Sequence, residues 1–360
     1  MLHQNFLNGI ILSIIIIAKN NREELGIIKK SVNQIWKELM KKIRIILVGG
    51  FQQLNPINNW YDYNGREHKK EFEFIKDHIL GSDYITYHTT RFTLKKNYRQ
   101  NEDEIFSKVL KSMSENKISE IDLTSINKCV TSKTPDQIYK QYPNSIIAIP
   151  FKKSASELNR KINSESKNKS FISTRDRRMF TGDINHLDSL QFYNKDINII
   201  EGSSMILTEN LDVENGFYNN SSVKIKKIID FDKIEISNNS KSMTINKYEY
   251  KIPFNPKKGI VTQFPLREGP ASTFHTLQGA TLEDGKIIID MSSMDAAGIT
   301  FFDYASGKRF HLNFLENMLY VALSRVKKFS QVVICTPEGR KLTKKHLKIN
   351  QETIDWLNEN

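Results

Sequence analysis

The stretch that decides the fold is Ala271-Ser-Thr-Phe-His-Thr-Leu-Gln-Gly-Ala-Thr-Leu282, which leads into the apolar segment Lys286-Ile-Ile-Ile-Asp290. The first part is a short polar segment of small residues, and its glycine at position 279 allows the backbone to lie close to a phosphate group or a partner domain. The second part has the consecutive apolar residues of a strand that is buried on both faces. By itself this stretch predicts only a loop beside a buried strand, and it becomes specific when it is combined with three others.

Three further stretches accompany this one in a fixed order. They are Ile45-Ile-Leu-Val-Gly-Gly-Phe-Gln-Gln-Leu-Asn-Pro56, Leu94-Lys-Lys-Asn-Tyr-Arg-Gln100 and Leu319-Tyr-Val-Ala-Leu-Ser-Arg-Val326. In chain order, the four stretches resemble motifs III, IV, V and VI of the RecD/Pif branch (superfamily 1B) of ATP-dependent DNA helicases. The resemblance covers nearly the whole chain, and its specific part is these four motifs.

Length and charge limit the class of protein. The chain has 360 residues, of which 39% are apolar and 26% are charged, so it is long enough for two or three domains with cores of their own. Lys and Arg outnumber Asp and Glu by 53 to 41, which gives a formal net charge of +12 and favours a polyanionic partner. The basic residues come in short groups along the chain. This pattern fits a positive surface built from many loops, and it also fits a generally basic surface.

Cysteines, histidines and apolar runs argue against other classes. Cys129 and Cys335 stand far apart, and the histidines show no metal-binding spacing, so neither a disulfide framework nor a metal site is indicated. Such cysteine usage is typical of an intracellular protein of the cytoplasm or nucleus. The run Gly9-Ile-Ile-Leu-Ser-Ile-Ile-Ile-Ile-Ala18 is shorter than the about 20 residues that span a bilayer, and it lacks the flanks of a signal peptide. We interpret it as a buried core segment, with a membrane-tethered protein as the weaker alternative.

The resemblance implies an α/β fold with RecA-like, P-loop NTPase-type motor domains built on parallel sheets. Residues 1–85 would be a truncated remnant of the first motor domain, and residues 86–202 and 265–360 would form the second. A small SH3-like β-barrel would be inserted at 203–264. The residues support such an insertion independently, because apolar and polar residues alternate from Val223 to Val261 as in short antiparallel strands.

Local patterns predict individual elements. The apolar run Ser145-Ile-Ile-Ala-Ile149 predicts a short buried strand. Asn101, with Glu104 three residues later, predicts the start of a helix. The residues at helical spacing that follow predict its apolar face, which consists of Ile105, Phe106, Val109, Leu110 and Met113.

The resemblance also implies a nucleotide site. Phosphoryl transfer needs a phosphate-binding loop with a lysine, carboxylates that hold Mg²⁺, a group that orients water, and arginines that reach across the cleft. By their places in the motifs, Gln53 would sense the γ-phosphate, and Arg99 and Arg325 would reach it from the second domain. A guanidinium group suits this role because its planar fork pairs with phosphate oxygens and stays charged. Outside the motifs, all three would be interpreted as ordinary loop or ion-paired residues.

The motif V stretch implies contacts with DNA. Thr273 and His275 lie where the family contacts the single-stranded backbone, and Gln278 and Gly279 lie where DNA binding is coupled to the nucleotide cleft. A positive groove with some base stacking is the general mode of binding single strands without sequence preference. For His275, the sequence leaves a second interpretation open, that of a hydrogen-bonded core histidine.

The sequence departs from the family at motifs I and II. It contains no G-x-x-x-x-G-K-[ST] phosphate loop, and Met1-Leu-His-Gln-Asn-Phe-Leu7 resembles the segment just after the motif II carboxylates. Gly50 and Asn55 replace the usual Asp and the first of two usual prolines in motif III, and Thr276 replaces a common lysine in motif V. ATP and Mg²⁺ are implied as cofactors by the family, but the groups that supply most of the transition-state stabilisation are absent from this sequence.

Two functions follow from these observations. The first is the carboxyl-terminal part of an ATP-dependent DNA helicase that moves on single-stranded DNA and unwinds duplex DNA, without ATP hydrolysis unless a separate chain supplies the first motor half. The second is a non-catalytic single-stranded DNA-binding remnant of a helicase. Single-stranded and duplex DNA are the expected partners, and no membrane contact is expected.

Overall fold

The computed structural model describes residues 97–355, apart from 165–167, 175, 179–195, 239, 252–259, 279–281, 283–284, 296, 299, 305–306, 312–315 and 352, together with two short strands at 59–61 and 67–69. The chain divides into two compact units, Met1–Lys96 with Gln351–Asn360, and Asn97–Asn350. In the first unit, β1 (Asn59–Tyr61) and β2 (Glu67–Lys69) pair antiparallel. The prediction for Gln53 lies outside the described residues.

The second unit contains strands and helices in alternation, followed by a long run of strands. The strands are β3 (Val130–Thr131), β4 (Ile146–Ile149), β5 (Ser170–Thr174), β6 (Asp176–Arg178), β7 (Asp196–Ile200), β8 (Ser204–Leu207), β9 (Ser222–Ile228), β10 (Lys233–Ser237), β11 (Ser242–Asn246), β12 (Tyr248–Lys251), β13 (Ile260–Gln263), β14 (Leu266–Glu268), β15 (Ala271–Thr273), β16 (Ile287–Asp290), β17 (Thr300–Asp303), β18 (Lys308–His311) and β19 (Val332–Cys335). The helices are α1 (Glu104–Ser114), α2 (Glu120–Asn127), α3 (Pro135–Gln141), α4 (Lys152–Ser164) and α5 (Met318–Leu323), with 3-10 turns at Phe329–Gln331, Pro337–Gly339 and Lys344–Leu347.

A five-stranded parallel sheet organises this unit. Its strand order is β15, β4, β16, β19, β3, and each neighbouring pair is parallel. The predicted strand after Ser145 is confirmed as β4, and all four of its residues are buried. Continuous apolar runs suit the middle of such a sheet because helices cover its faces. Here α3 and α4 contribute side chains to one core cluster with β4, β15 and β16.

A second, antiparallel sheet follows in the chain. Its strand order is β11, β10, β9, β8, β14, and all its neighbouring pairs are antiparallel. Apolar side chains from alternate positions of these strands form a separate buried cluster, which explains the alternation in the sequence. The sheet extends from Ser204 to Glu268, a few residues beyond the predicted insertion at 203–264. Whether it is an SH3-like barrel stays a prediction.

Helix α1 corrects two local predictions. Its N-cap is Asp103, whose carboxylate accepts a hydrogen bond from the backbone N–H of Phe106 at 2.9 Å, so Asn101 is not the cap. Ile105, which was predicted in the apolar face, is 64% exposed, whereas the other four predicted members are buried. The reason is geometric: the four buried residues recur at spacings of three and four and so cluster on one side of the helix, whereas Ile105 points about 100° away from Phe106 and falls outside that side.

Cys335 provides a test of the parallel sheet. It ends β19 and is 1% exposed; burial, and then the nearby carboxylates of Asp290 and Asp136, raise the pKa of its thiol to about 12. Because only the thiolate reacts, a disulfide reagent at pH 8 should leave Cys335 unmodified in the folded chain and modify it after denaturation. Cys129 is half-buried and should react first. Equal rates of modification for the two thiols in the folded chain would contradict this burial.

Candidate functional site

Motifs IV and VI are joined by hydrogen bonds. The guanidinium Nη1 of Arg99 donates to the backbone oxygen of Ser324 at 2.6 Å, across 225 positions of sequence. The side-chain Nε2 of Gln100 donates to the backbone oxygen of Val326 at 2.5 Å, and Asn97 orients this amide by donating to its Oε1 at 2.8 Å. The segment that precedes α1 is thereby held against the carboxyl end of α5.

Arg325 lies directly beside this junction. It is 6% exposed, and its Nε donates to the backbone oxygen of Val321 at 2.9 Å while its Nη2 donates to the hydroxyl of Ser324 at 2.7 Å. Burial, and then the positive charge of Arg99, lower the pKa of Arg325 to about 10, and Tyr320 acts in the opposite direction. The group therefore stays charged at neutral pH. The structure thus brings Arg99 and Arg325, two residues that the motifs singled out, to one place.

Tyr320 and Gln100 belong to this junction, although no sequence pattern singled them out. Burial raises the pKa of the Tyr320 phenol, and the charges of Arg325 and Arg99 oppose that shift, so the phenol lies near both guanidinium groups. Gln100 is only 3% exposed and contacts the backbone of motif VI. Both residues lie within quoted motifs, and only the long-range contacts reveal their roles.

A second set of contacts fixes the start of α1 against the segment after α5. The second carboxylate oxygen of Asp103 accepts a hydrogen bond from the backbone N–H of Phe329 at 3.0 Å. The rings of Phe106 and Phe329 have centroids 4.6 Å apart, and the exposed pair of Lys328 and Glu102 forms a salt bridge at 2.8 Å. Since Phe106 is fully buried, the junction between motifs IV and VI is built into the core.

Gln100→Ala tests this junction. The substitution leaves the buried backbone oxygen of Val326 without this side-chain donor, which costs about 1–3 kcal/mol when a buried polar group loses its partner. We expect the free energy of unfolding, measured with urea, to fall by that amount. Gln141→Ala is the matched control because Gln141 is exposed at the end of α3, and it should change stability by less than about 0.5 kcal/mol. Equal stability of the two variants would show that the Gln100 contact is unimportant.

The motif V loop leaves β15 in a tight turn. The backbone N–H groups of Thr276 and Leu277 both donate to the backbone oxygen of Thr273, at 3.0 and 3.2 Å. The hydroxyls of Thr273 and Thr276 lie 2.9 Å apart and share a hydrogen bond. Thr276, at the position where the family commonly has a lysine, therefore closes the turn onto Thr273.

His275 and Phe274 occupy different environments in this loop. Phe274 is fully buried, and its backbone N–H donates to the backbone oxygen of Ile149 at the end of β4, at 3.3 Å. His275 is half-buried, and this burial lowers the pKa of its imidazole, so it is neutral at pH 7. The backbone N–H of Gln278 donates to the backbone oxygen of His275 at 3.3 Å. Gly279 lies outside the described residues.

Two contacts connect motif V to its surroundings. The backbone N–H of Leu282 donates to the backbone oxygen of Arg325 at 2.9 Å, which joins the end of motif V to the arginine of motif VI. On the other side, Nη1 of Arg267 donates to the hydroxyl of Ser272 at 2.7 Å and Nη2 donates to the Oδ1 of Asn220 at 3.4 Å. Burial lowers the pKa of Arg267 to about 10. Arg267, which no motif indicated, ties β15 to the antiparallel sheet.

The described residues include groups that can bind a phosphate. Two guanidinium groups can pair with phosphate oxygens, whereas the sequence has no phosphate loop. Among the residues with described placement, no group of three or more His, Cys, Asp or Glu side chains is arranged to hold a metal ion. In the same part of the chain, no helix is both long and apolar enough to cross a membrane.

Solved structures of Pif1 helicases have folds similar to that of this chain. The crystal structure of the Pif1 helicase from Candida albicans covers 91% of this chain and 72% of its own, with a TM-score of 0.64 and 15% identity. Pif1 from Bacteroides sp. in complex with ADP-AlF4 covers 79% of this chain and 60% of its own, with a TM-score of 0.57 and 18% identity. This chain has the fold of Pif1 helicases. The RecD/Pif-type fold that the four motifs predicted is therefore confirmed.

A Bacteroides Pif1 helicase solved with ADP-AlF3 and single-stranded DNA matches the Pif1 fold of this chain as well. The match covers 74% of this chain and 56% of that one, with a TM-score of 0.51 and 20% identity. The chain thus spans less than two thirds of the length of the Bacteroides Pif1 structures. No protein-family model matches the sequence, and no curated protein matches it. Within this fold, the motif IV stretch contacts the motif VI stretch through Ser324, and the motif V stretch contacts it through Leu282.

Proposed function

We propose that this chain is the carboxyl-terminal motor part of an ATP-dependent DNA helicase that moves along single-stranded DNA and unwinds duplex DNA. The observation that carries the proposal is the meeting of Arg99 and Arg325, whose guanidinium groups share contacts with Ser324. The charge of Arg99 contributes to the lowered pKa of Arg325, so an anion that binds between the two groups relieves their repulsion. The terminal phosphate of ATP is such an anion.

The DNA side of the proposal rests on motif V. Thr273 and His275 lie in a turn at the end of β15, and the backbone of Leu282 binds the backbone of Arg325. A strand of DNA that contacts this turn is thereby connected to the arginine pair through a short length of chain. Gln278 and Gly279 would transmit the coupling, and Gln53 would contact the γ-phosphate from the first motor domain. That a Bacteroides protein of the same fold was solved with ADP-AlF3 and single-stranded DNA supports this assignment.

The proposed domain organisation follows the same correspondence. Residues 1–85 belong to the first RecA-like motor domain, residues 86–202 and 265–360 to the second, and residues 203–264 to an SH3-like insertion. ATP and Mg²⁺ are the proposed cofactors, and a separate chain that carries the phosphate loop is a proposed partner. The groups for Mg²⁺ and for the inner phosphates would come from that partner.

A second candidate function is a single-stranded DNA binder without ATP hydrolysis. The absence of a G-x-x-x-x-G-K-[ST] loop from the sequence favours it. Without a phosphate loop and its lysine, the arginine pair has no preorganised triphosphate to act on. Both candidates therefore predict that these 360 residues alone bind DNA and do not hydrolyse ATP.

The experiment that tests the proposal measures both activities on the purified chain. We expect a fluorescently labelled oligothymidine to bind with an affinity that falls as salt is raised, and no release of phosphate from ATP with or without DNA. Thr273→Ala should weaken DNA binding about tenfold, because a hydrogen bond to a charged phosphate is lost. Thr174→Ala is the matched control, since Thr174 is exposed on β5.

Each outcome separates the candidates. If the chain binds DNA and unwinds duplex with ATP once a chain carrying a phosphate loop is added, the helicase is supported. If it binds DNA but no such chain produces unwinding, the non-catalytic binder is supported. DNA-stimulated ATP turnover by the chain alone would overturn the predicted inactivity. Absence of any affinity for single-stranded DNA would overturn both functions.

A further inference from the structure

The β17–β18 hairpin is an element that none of the four motifs explains. Its strands pair antiparallel, with Phe302 opposite Arg309 and Thr300 opposite His311. Gly307, with a φ of 69°, lies in the turn, and its backbone N–H donates to the backbone oxygen of Asp303 at 2.8 Å. The hairpin lies between motif V and motif VI in the sequence.

One face of the hairpin is fixed to the parallel-sheet core. Phe301 is fully buried, and the carboxylate of Asp303 accepts a hydrogen bond from the hydroxyl of Ser154 at 2.8 Å. The ring of Phe310 lies 4.7 Å from that of Phe151, centroid to centroid. Phe151 and Ser154 follow directly after β4, so the hairpin is anchored at the carboxyl end of that strand.

The motif V loop emerges at the same edge of the sheet. β15 is the parallel neighbour of β4, with Thr273 opposite Ile149. Both strands therefore end on one side of the sheet, about 5 Å apart. The backbone bond from Phe274 to Ile149 confirms the proximity. The hairpin anchor and the motif V turn are thus adjacent features of one surface.

The other face of the hairpin is aromatic and basic. Tyr304 is 74% exposed, and its ring packs edge-on against Phe302, with centroids 4.8 Å apart. Arg309 is paired across the strands with Phe302, so that the two side chains share a face. Arg309 is exposed, and it makes neither a salt bridge nor a side-chain hydrogen bond with another residue of described placement.

Additional positive charge lies next to the anchor. Lys152 and Lys153 begin α4 and are exposed, and the first turn of that helix contains no acidic residue. These lysines lie between Phe151 and Ser154 in the sequence, the two residues that hold the hairpin. The surface that combines the hairpin with the start of α4 therefore attracts a polyanion.

We propose that the outer face of the β17–β18 hairpin is a stacking surface for single-stranded DNA, with Tyr304 against a base and Arg309 against a phosphate. The proposal rests on the proposed function, because it extends the strand that contacts motif V. Aromatic rings that stack on bases and cations that follow the backbone are the two components by which proteins hold single strands. Tyr304 and Phe302 provide the first component and Arg309 provides the second.

Photochemical cross-linking tests the contact on the unmodified chain. The full chain is irradiated with an oligothymidine in which 5-bromodeoxyuridine replaces thymidine, and the cross-linked peptides are identified by mass spectrometry. We expect the peptide that contains Tyr304 among the products. Cross-links confined to other parts of the chain, with this peptide unmodified, would overturn the proposal and leave the proposed function standing. If the chain binds no single-stranded DNA, both are overturned.

Affinity measurements separate the two components. Tyr304→Ala should raise the Kd for oligothymidine about fivefold or more, and Tyr304→Phe should keep it within about twofold because the ring is retained. Arg309→Ala should reduce the slope of log Kd against log salt by about 0.7, the value for one phosphate of a single strand. Phe231→Ala, on an exposed aromatic residue in the turn between β9 and β10, is the control and should have no effect.

Two results would contradict the hairpin surface specifically. The first is an unchanged Kd for Tyr304→Ala under conditions where Thr273→Ala weakens binding. The second is an equal loss for Tyr304→Ala and Phe231→Ala, which would point to a general effect of removing exposed aromatic side chains. If Tyr304→Ala leaves DNA affinity unchanged but abolishes binding of the chain to another protein, the face is a protein-docking surface, and its assignment to DNA is overturned.

Discussion

Replacing Arg325 with alanine should weaken the binding of tripolyphosphate to this chain by about tenfold or more. Tripolyphosphate stands for the phosphate part of ATP and needs no base contacts. A hydrogen bond between charged groups contributes about 1.5–3 kcal/mol, and 1.4 kcal/mol corresponds to a factor of ten in affinity. Isothermal titration calorimetry at low salt measures the change. Arg99→Ala should have an effect of similar size because its guanidinium lies at the same junction.

Two further variants make this prediction specific. Arg325→Lys keeps the charge but loses the planar fork, so we expect an intermediate affinity. Arg160→Ala removes an exposed guanidinium from α4 and should leave the affinity unchanged. If Arg160→Ala weakens binding as much as Arg325→Ala does, tripolyphosphate binds to the basic surface in general, and the arginine pair is no site. Arg325 is buried and hydrogen-bonded to Val321, so its removal can also lower stability. The free energy of unfolding of each variant should therefore be measured with urea beside its titration.

Phe274→Ala should lower the free energy of unfolding by about 3–5 kcal/mol, which is the usual cost of removing a buried phenylalanine side chain. Phe274 is fully buried, and its backbone N–H holds the motif V turn to the end of β4. Phe274 stands between Thr273 and His275 in the turn, so the substitution removes the buried side chain that fixes both neighbours. We therefore expect DNA affinity to fall as well, at temperatures where the variant is still folded.

Phe231→Ala is the matched control for this substitution. Phe231 is 72% exposed, so its removal should cost less than about 1 kcal/mol. Urea denaturation of both variants, monitored by fluorescence, gives the two free energies of unfolding. Equal stability of Phe274→Ala and the unmodified chain would contradict the burial of the motif V loop. A loss of stability without loss of DNA affinity in the folded variant would contradict only the role of the turn in binding DNA.

The parallel sheet could be predicted from the sequence because its strands have a simple signature. Residues 146–149 and 287–289 are uninterrupted apolar runs, and a run of this kind is stable only where both faces of a strand are covered. The antiparallel strands were likewise visible as alternation from Val223 onward. Their exact ends were not, since the last strand of that sheet continues to Glu268, and strand ends depend on pairing rather than on local pattern.

The contacts of the candidate site could not be derived from local pattern. Gln100 and Val326 are 226 positions apart, and a side-chain bond to a backbone oxygen leaves no periodic signal in either segment. Only the resemblance of the motifs brought Arg99 and Arg325 into one hypothesis. Arg267 shows the limit of that approach, because it is fixed by two side chains, Ser272 and Asn220, and lies outside the four quoted motifs.

Local competition explains the errors around α1 and the hairpin. Asn101 and Asp103 are both suitable N-cap residues, and the capping distance to Phe106 selects Asp103. In β17, Phe301 is buried and Phe302 is half-buried on the opposite face, so two adjacent aromatic residues obscure the alternation that marks a strand. The hairpin was therefore absent from the sequence-based prediction.

The central claim is that Arg99 and Arg325 act on one phosphate group, and a double-substitution cycle with tripolyphosphate tests it most directly. The Kd values of the unmodified chain, Arg99→Ala, Arg325→Ala and the double variant give the coupling free energy between the two side chains. We predict a coupling of about 0.5–3 kcal/mol, with the double variant weakened by less than the sum of the single effects. Strictly additive effects would mean that the two arginines bind separate anions, and they would contradict the claim.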